Sequence, residues 1–188
     1  MKTNGSCQQV VIAGFGGQGI ILVGKLLAQA AMTAGREVTY MPSYGAEVRG
    51  GTANCMLVID DGPISSPVID SPDTVIAMNQ ASLDKFAPRV KKGGLVIINS
   101  SLANRTPKLD DSIRIVFLPA DKIAKDLGGT KAANMVALGA YLQKTGVLKT
   151  ETACDCLPDV LAQRLHVMIP LNKKAIQKGA EFVKENGG

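Results

Sequence analysis

The chain has 188 residues, of which 46% are hydrophobic and 20% charged, a composition that is typical of one globular domain and excludes a disordered chain. Aromatic residues make up only 4%, and the net charge of +5 is spread along the chain, so we expect neither a stacking platform nor a basic groove for nucleic acid. The 4 cysteines form no disulfide framework and no four-ligand metal pattern, and no run approaches the ~20 apolar residues that cross a membrane. We therefore predict a single cytoplasmic domain over residues 1–188, with reduced thiols, no metal site and no membrane contact.

The N-terminal part of the sequence predicts a strand, a glycine turn, a helix and a second strand. Residues 10–13 form a short apolar run that suits a buried strand. Apolar residues then recur at helical spacing from Gln18 to a natural stop at Gly35, and residues 37–41 predict the next strand. This strand–helix–strand order is a βαβ unit, which requires a parallel sheet.

The remaining strands are predicted at residues 52–60, 64–69, 74–78, 95–99 and 113–118. The first two of these are separated by a turn and are expected to pair antiparallel as a hairpin. Asn79 can cap a helix that runs through Arg89, and the C-terminal third is helical, with one helix over about 151–165 and a last one capped by Asn172. The predicted fold is α/β: a doubly wound, Rossmann-like, mostly parallel sheet with one antiparallel edge hairpin and a helical C-terminal third.

Residues 14–19, Gly-Phe-Gly-Gly-Gln-Gly, show the G-x-G-x-x-G pattern after a strand and at the start of a helix. Glycines let backbone N–H groups approach an anion, and the helix N-terminus adds partial positive charge. The residues that we expect to face a ligand or a partner here are Gly16, Gly17, Gln18 and Gly19. A dinucleotide site also carries an acid about 20 residues on, at the end of the second strand, and the acid of this strand, Glu37, stands at its start. The pattern alone leaves open a dinucleotide site, another ligand site, or glycines that only serve helix packing.

A second cluster follows the second strand, which places it at the same edge of the predicted sheet as the glycine turn. The residues of this cluster that we expect to face a ligand or a partner are Ser43, Tyr44, Gly45, Glu47, Arg49, Gly50 and Gly51. The guanidinium of Arg49 can hold a carboxylate or a phosphate through two parallel N–H bonds. In the alternative interpretation, Glu47 and Arg49 only pair with each other on an exposed loop.

Two single polar residues complete the candidates. Asn79 follows a strand at the presumed ligand edge, where it can touch a ligand or cap the next helix. His166 is the only histidine, and no nucleophile or orienting acid can be named beside it, so a capping or surface role is expected rather than a catalytic base. We therefore assign no catalytic residue and no metal ligand to this chain.

Four stretches of the sequence resemble one protein family. They are VVIAGFGGQGIILVGKLLAQAA at 10–31, MPSYGAEVRGGTANCMLVI at 41–59, VIAMN at 75–79 and AANMVALGAYL at 132–142. Together they resemble the gamma subunit of 2-oxoacid:ferredoxin oxidoreductases over nearly the whole chain. The Gly-Gly-Gln-Gly turn with Arg-Gly-Gly is fairly specific for that family, and the fuller loop from Ser43 to Gly51 is most similar to its 2-oxoglutarate members.

The resemblance implies a subunit that is inactive by itself. Enzymes of this family oxidatively decarboxylate a 2-oxoacid on thiamine diphosphate, pass two electrons through iron–sulfur clusters to ferredoxin or a similar acceptor, and transfer the acyl group to coenzyme A. The resemblance implies that alpha, beta and ferredoxin-like delta subunits hold the thiamine diphosphate, the magnesium and the clusters. This chain would bind none of them alone, but would dock near the thiamine site and help enclose the 2-oxoacid and coenzyme A.

Two alternatives from other classes remain open at this point. A stand-alone NAD(P)- or flavin-dependent oxidoreductase of Rossmann type fits the glycine turn but lacks the acid that holds the ribose. A nucleotide-sensing regulatory domain would need the same acid and makes no use of the Arg-Gly-Gly loop.

Overall fold

The computed structural model of the protein describes residues 7–44 and 52–186. Its strands are β1 (Gln8–Phe15), β2 (Glu37–Tyr44), β3 (Thr52–Asp60), β4 (Thr74–Ala77), β5 (Leu95–Asn99) and β6 (Arg114–Leu118). Its α-helices are α1 (Ile20–Thr33), α2 (Gln80–Phe86), α3 (Ala120–Asp126), α4 (Ala133–Thr145), α5 (Thr150–Asp155), α6 (Leu157–Val160) and α7 (Ile169–Asn186). Short 3-10 segments lie at Ala87–Arg89, Thr130–Ala132 and Gln163–Met168.

The strands form one sheet in the order β2-β3-β1-β4-β5-β6. Strands β1, β4, β5 and β6 are parallel, whereas β3 is antiparallel to both of its neighbours, β1 and β2. The parallel strands therefore end at one edge of the sheet, the carboxyl edge, and begin at the opposite one, the amino edge. Helices α1 and α4 pack on one face and α2 on the other. The predicted fold class, a doubly wound sheet with an antiparallel edge hairpin, is confirmed.

The predicted βαβ order of β1, α1 and β2 is present, but the two strands are not neighbours in the sheet. The two strands run in the same direction, but β3 lies between them and pairs with both. Strand β3 is buried on both faces, with Cys55, Leu57 and Val58 among its inaccessible residues. A strand that is apolar on both faces loses that burial at the edge of a sheet, so it takes the interior position and β2 takes the edge.

The predicted strand at residues 64–69 is also absent, and the hairpin partner of β3 is β2. Pro63 and Pro67 lack the backbone N–H group that a strand ladder requires. The segment is held by a side chain instead, because the Arg89 guanidinium donates hydrogen bonds to the carbonyl oxygens of Ile69 and Asp70 at 3.0 and 3.1 Å.

The C-terminal third is helical, as predicted, but the helices begin at other residues. The expected helix over 151–165 is divided among α5, α6 and the 3-10 segment Gln163–Met168. Pro158 stands in the first turn of α6, where the missing N–H group costs no hydrogen bond, so a new helix begins there. Asn172 lies inside α7 and does not cap it, since Pro170 already occupies the first turn.

Helices α4 and α7 approach each other closely enough for backbone to meet backbone. A Cβ atom on Gly139 would overlap the carbonyl oxygen of Ile176, and one on Gly179 would overlap that of Val136. Each glycine thus leaves room for the backbone of the other helix, and this close contact holds α7 against α4.

Among the described residues, no helix is long and apolar enough to cross a membrane.

Candidate functional site

The glycine turn lies at the carboxyl edge of the sheet, between the end of β1 and the start of α1, as predicted. Gly17 and Gly19 have φ angles of 93° and 71°, in the left-handed region that favours glycine. The Gln18 N–H donates to the Phe15 carbonyl oxygen at 3.1 Å and closes the turn. Gly16 and Gly17 are exposed, so the turn presents backbone to the surroundings at a helix N-terminus.

The side chain of Gln18 ties this turn to the neighbouring parallel strand. Its Oε1 accepts hydrogen bonds from the Phe15 N–H at 2.6 Å and from Asn79 Nδ2 at 3.1 Å. Its Nε2 donates to the Met78 carbonyl oxygen at 3.2 Å. The structure therefore assigns the polar atoms of Gln18 to contacts within the chain, and an outward role for this residue stays a prediction.

Asn79 has the capping role that the sequence predicts. Its backbone is extended, and its Oδ1 accepts a hydrogen bond from the Ser82 N–H at 2.8 Å at the start of α2. Its Nδ2 donates to Gln18, so both ends of the amide have partners. The side chain is buried, and contact with a ligand stays a prediction.

Asn99 and Asp121 extend the same hydrogen-bond network across the sheet, and neither was among the sequence candidates. Asn99 Nδ2 donates to the Met78 carbonyl oxygen at 3.3 Å and to Asp121 Oδ2 at 2.5 Å. Side chains at or just beyond the ends of β1, β4, β5 and β6 are thereby linked along the carboxyl edge, in part through the Met78 carbonyl oxygen. The one signal in the sequence is a polar residue at the end of the otherwise apolar run of β5.

A cavity of about 220 Å³ opens beside the glycine turn, between α1 and the start of α4. Its lining is mostly apolar, and its members are Gly17, Gly19, Leu22, Lys131, Ala132, Asn134, Met135, Leu161, Leu165, Met168 and Asn172. Lys131 is the one charged residue among these lining residues. Asn134 is buried and donates to the Gly19 carbonyl oxygen at 3.2 Å, which fixes α4 to the turn. An apolar cavity with a cation and a helix N-terminus at its mouth suits a ligand that has an apolar part and an anionic group.

Of the second predicted cluster, the structure describes Ser43 and Tyr44 at the end of β2. Both are exposed, and Tyr44 retains 68% of its accessible surface. Gly45, Glu47, Arg49, Gly50 and Gly51 lie outside the described residues. The flanking residues pair next to the glycine turn, because Thr52 is opposite Phe15 and Tyr44 is opposite Ala53. Tyr44 and Thr52, the described residues on either side of residues 45–51, therefore lie at the carboxyl edge, and a ligand-facing role for the residues between them stays a prediction.

The described residues contain no cluster of three or more His, Cys, Asp or Glu side chains that would hold a metal ion. Cys55, Cys154 and Cys156 are buried, and burial raises the pKa of the Cys55 thiol to about 12, so this thiol stays protonated at neutral pH. The His166 ring lies 3.1 Å from the Leu161 carbonyl oxygen, in a contact that holds the 3-10 segment. These groups serve packing and local structure.

Comparison with known proteins gives a consistent result over almost the whole chain. The family model described as pyruvate ferredoxin/flavodoxin oxidoreductase matches residues 9–182. The 2-oxoglutarate synthase subunit KorC of Methanocaldococcus jannaschii is 31% identical over 180 residues, which are 95% of either chain. A crystal structure of the gamma subunit of a keto/oxoacid ferredoxin oxidoreductase from Geobacter sulfurreducens PCA is 31% identical, with a TM-score of 0.81, and covers 95% of this chain and 99% of that one.

Other relatives are much longer than this chain. The ketoisovalerate oxidoreductase subunit VorA of Methanothermobacter marburgensis is 39% identical over 180 residues, but the match spans only 37% of that protein. The resemblance to gamma subunits that the sequence motifs indicate is confirmed by these relatives. The chain therefore belongs to the pyruvate ferredoxin/flavodoxin oxidoreductase family.

Proposed function

We propose that this chain is the gamma subunit of a thiamine-diphosphate-dependent 2-oxoacid:ferredoxin oxidoreductase and is active only in the assembled, cytoplasmic enzyme. One observation carries the proposal beyond family membership. The exposed glycine turn, the apolar cavity beside it and the ends of the segment 45–51 all lie at one edge of the sheet. Open α/β sheets bind ligands at this edge, so the chain offers one surface to a site that it shares with its partners.

The described residues do not fit the cofactors that the family implies. Thiamine diphosphate is held through a magnesium ion on oxygen ligands, and iron–sulfur clusters need converging thiolates. The described part of the chain has no cluster of three or more His, Cys, Asp or Glu side chains that could hold a metal ion. Its buried cysteines, Cys55, Cys154 and Cys156, therefore belong to no such cluster. The proposal therefore assigns these cofactors to the alpha, beta and delta subunits.

The sheet order favours this proposal over a stand-alone NAD(P) or flavin enzyme. In a dinucleotide-binding fold the strand beside the glycine strand is parallel to it and ends in the acid that holds the ribose. Here the neighbour of β1 on that side is β3, which is antiparallel and begins, rather than ends, at the carboxyl edge. Glu37 stands at the amino edge, at the first residue of β2, far from the turn.

The chain's own contribution would be to bind and enclose. Backbone N–H groups at the start of α1 and the Lys131 ammonium attract an anionic group such as a substrate carboxylate or a coenzyme A phosphate. The apolar lining, with Leu22, Met135 and Leu161, excludes water from the groups it covers. Chemistry on the 2-oxoacid would take place on the thiamine held by the partner subunits.

The names of the relatives give three substrates, 2-oxoglutarate, ketoisovalerate and pyruvate, and separate observations favour the first two. The loop 43–51 supports 2-oxoglutarate, which carries a second carboxylate that an arginine could hold. The greater identity with VorA, 39% against 31% for KorC, supports ketoisovalerate, which has a branched apolar side chain. We propose 2-oxoglutarate as the substrate, with ketoisovalerate as the candidate that the assay must separate.

Purification of the complex from the source cell tests the function directly. We expect the chain to co-purify with a thiamine-binding subunit and a cluster-binding subunit, and the complex to reduce ferredoxin with a 2-oxoacid and coenzyme A. A panel of 2-oxoglutarate, ketoisovalerate and pyruvate identifies the substrate. The isolated chain is expected to be colourless and inactive. If NAD raises the melting temperature of the chain and coenzyme A does not, the result would instead support the stand-alone enzyme.

Arg49 gives the sharpest mutational test of the shared site. If its guanidinium holds a desolvated anion, Arg49→Ala and Arg49→Lys should each lower kcat/KM of the complex by about tenfold or more, since a hydrogen bond to a charged group contributes about 1.5 kcal/mol or more. Arg105→Ala is the matched control, because Arg105 is exposed and pairs with Asp84. Near-normal activity of the Arg49→Ala complex would show that Arg49 has no binding role.

A further inference from the structure

A second cavity lies at the amino edge of the sheet, opposite the glycine turn. It has a volume of about 280 Å³, and strands β1, β4, β5 and β6 begin around it. The lining residues are Gln8, Asp73, Thr74, Lys91, Lys92, Gly93, Gly94, Arg114, Lys144 and Thr145. The end of α4 contributes the last two, so five elements of the fold converge on this cavity.

The lining is strongly cationic. The lining contains four cationic side chains and one carboxylate. Asp73 Oδ2 accepts from the Gln9 N–H at 2.7 Å, and its Oδ1 accepts from Lys91 Nζ at 2.8 Å. Asp73 therefore fixes Lys91 in place, and Lys92 and Arg114 remain as further cations of the lining.

Two of the cations are available for an external anion. The Lys92 side chain is 86% exposed, and its ammonium group lies 3.6 Å from an Asp110 carboxylate oxygen, a long contact in solvent that contributes little. Arg114 begins β6, and its guanidinium makes no ion pair or hydrogen bond within residues 7–44 and 52–186. It therefore offers a fork of N–H donors whose geometry matches a phosphate or carboxylate group.

The exposed backbone of Gly93, in the lining of the cavity, leaves room for a ligand to come close. Gly93 has a φ of 73°, and no atom lies within 4 Å of the position that a Cβ atom would take. The Gly93 N–H is held by Ser112 Oγ at 2.9 Å, and the Arg114 N–H by the Gly94 carbonyl oxygen at 3.0 Å. The glycine pair and the start of β6 are thus fixed relative to each other before any ligand binds.

We propose that this cavity at the amino edge binds a compact polyanion with at least two phosphate or carboxylate groups. The Arg114 fork holds one group, and Lys91 and Lys92 hold a second. The cavity lies at the opposite edge of the sheet from the site of the proposed function. The isolated chain therefore carries all the groups that this binding needs, and its test does not depend on the partner subunits.

Calorimetric titration of the full chain with inorganic pyrophosphate and with citrate tests the proposal. We expect pyrophosphate to bind with a 1:1 stoichiometry and an affinity that falls as salt is raised. Arg114→Ala and Lys92→Ala should each weaken binding by about tenfold, and Arg114→Lys should recover only part of the loss. Citrate separates the two ligand chemistries. If citrate binds more weakly than pyrophosphate, the cavity selects phosphate groups; if the two bind equally, it accepts clustered negative charge of either kind.

Lys122→Ala is the matched control, because Lys122 is an exposed lysine on α3 outside the lining. It should bind pyrophosphate as the unmodified chain does. Amide chemical shifts of Gly93 and Gly94 should move on titration, which locates the anion. Failure of both anions to bind, or an equal loss of binding in Lys122→Ala, would overturn the proposal.

Discussion

Replacing Asn99 with aspartate is expected to lower the free energy of unfolding at pH 7 by about 3 kcal/mol or more, the range measured for uncompensated buried charges. Asn99 is buried, and its Nδ2 donates to two oxygens, those of Met78 and Asp121. The substitution replaces this donor with an oxygen that carries negative charge. Two carboxylates would then face each other at the carboxyl edge, with the Met78 carbonyl beside them.

The effect should depend on pH with a definite sign. Burial and the neighbouring carboxylate raise the pKa of the introduced carboxyl group above its value of about 4 in the unfolded chain. The folded state then binds more protons between these two pKa values, so the loss of stability relative to the unmodified protein grows as pH rises through that window. It should be smallest below about pH 4, where the group is protonated in both states.

Urea unfolding of the variant and the unmodified protein at several pH values measures this difference. Asn104→Asp is the matched control, since Asn104 is exposed, and it should change stability by less than about 0.5 kcal/mol. Asn99→Ala removes the donor without adding charge, so its cost at pH 7 should be smaller than that of Asn99→Asp. A pH-independent loss for Asn99→Asp would show that neither burial nor Asp121 raises the pKa of the introduced carboxyl group.

Replacing Gly139 with alanine is expected to lower the free energy of unfolding by about 3 kcal/mol, at the upper end of the range for overpacked cores. The added methyl group would overlap the backbone of α7 at Ile176, and backbone cannot move aside as the end of a side chain can. Gly179→Ala should have a similar effect through Val136 on α4. Once the first variant has separated the helices, the second costs less, so the double variant should lose less than the sum.

Thermal or urea unfolding of the two single variants and the double variant provides this cycle. Gly62→Ala is the control, because nothing lies within 4 Å of the position that its added methyl group would take, and its φ is not positive. It should be neutral or slightly stabilising. If Gly139→Ala matched Gly62→Ala, the close approach of α4 and α7 would be refuted.

The sequence predicts most elements of the fold because their signals are local. The apolar runs of β1 and β5, the glycine turn and the Asn79 cap each occupy a few neighbouring residues. Strand pairing is not local, and this is where prediction failed. An apolar run such as β3 shows that a strand is buried, but it does not say which strands lie on either side, so its insertion between β1 and β2 could not be foreseen.

The candidate site also combines local motifs, which the sequence predicts, with contacts between distant residues, which it does not. The glycine turn and the segment after β2 could be predicted because each is a compact motif that follows a strand, and the structure describes the first of them. The network from Gln18 through Asn79 and Asn99 to Asp121 joins residues that are far apart in sequence, and no spacing pattern marks it. Lys131 was missed for the same reason, since only the packing of α4 against the turn brings it to the cavity.

The position of β3 divides the sheet into two halves that share β1. On one side of β1 lies the antiparallel hairpin β2–β3, and on the other lies the parallel set β4, β5 and β6. The outer strand β2 is largely accessible to solvent and is bonded on one side only, so it belongs to the least protected part of the sheet. Opening of β2 breaks its ladder with β3 and the hydrogen bond from the Tyr40 hydroxyl to the Ile21 carbonyl oxygen of α1, and leaves the ladders of the parallel half intact. The fold can thus let the end of β2 move without lowering the cooperativity with which the rest of the domain unfolds.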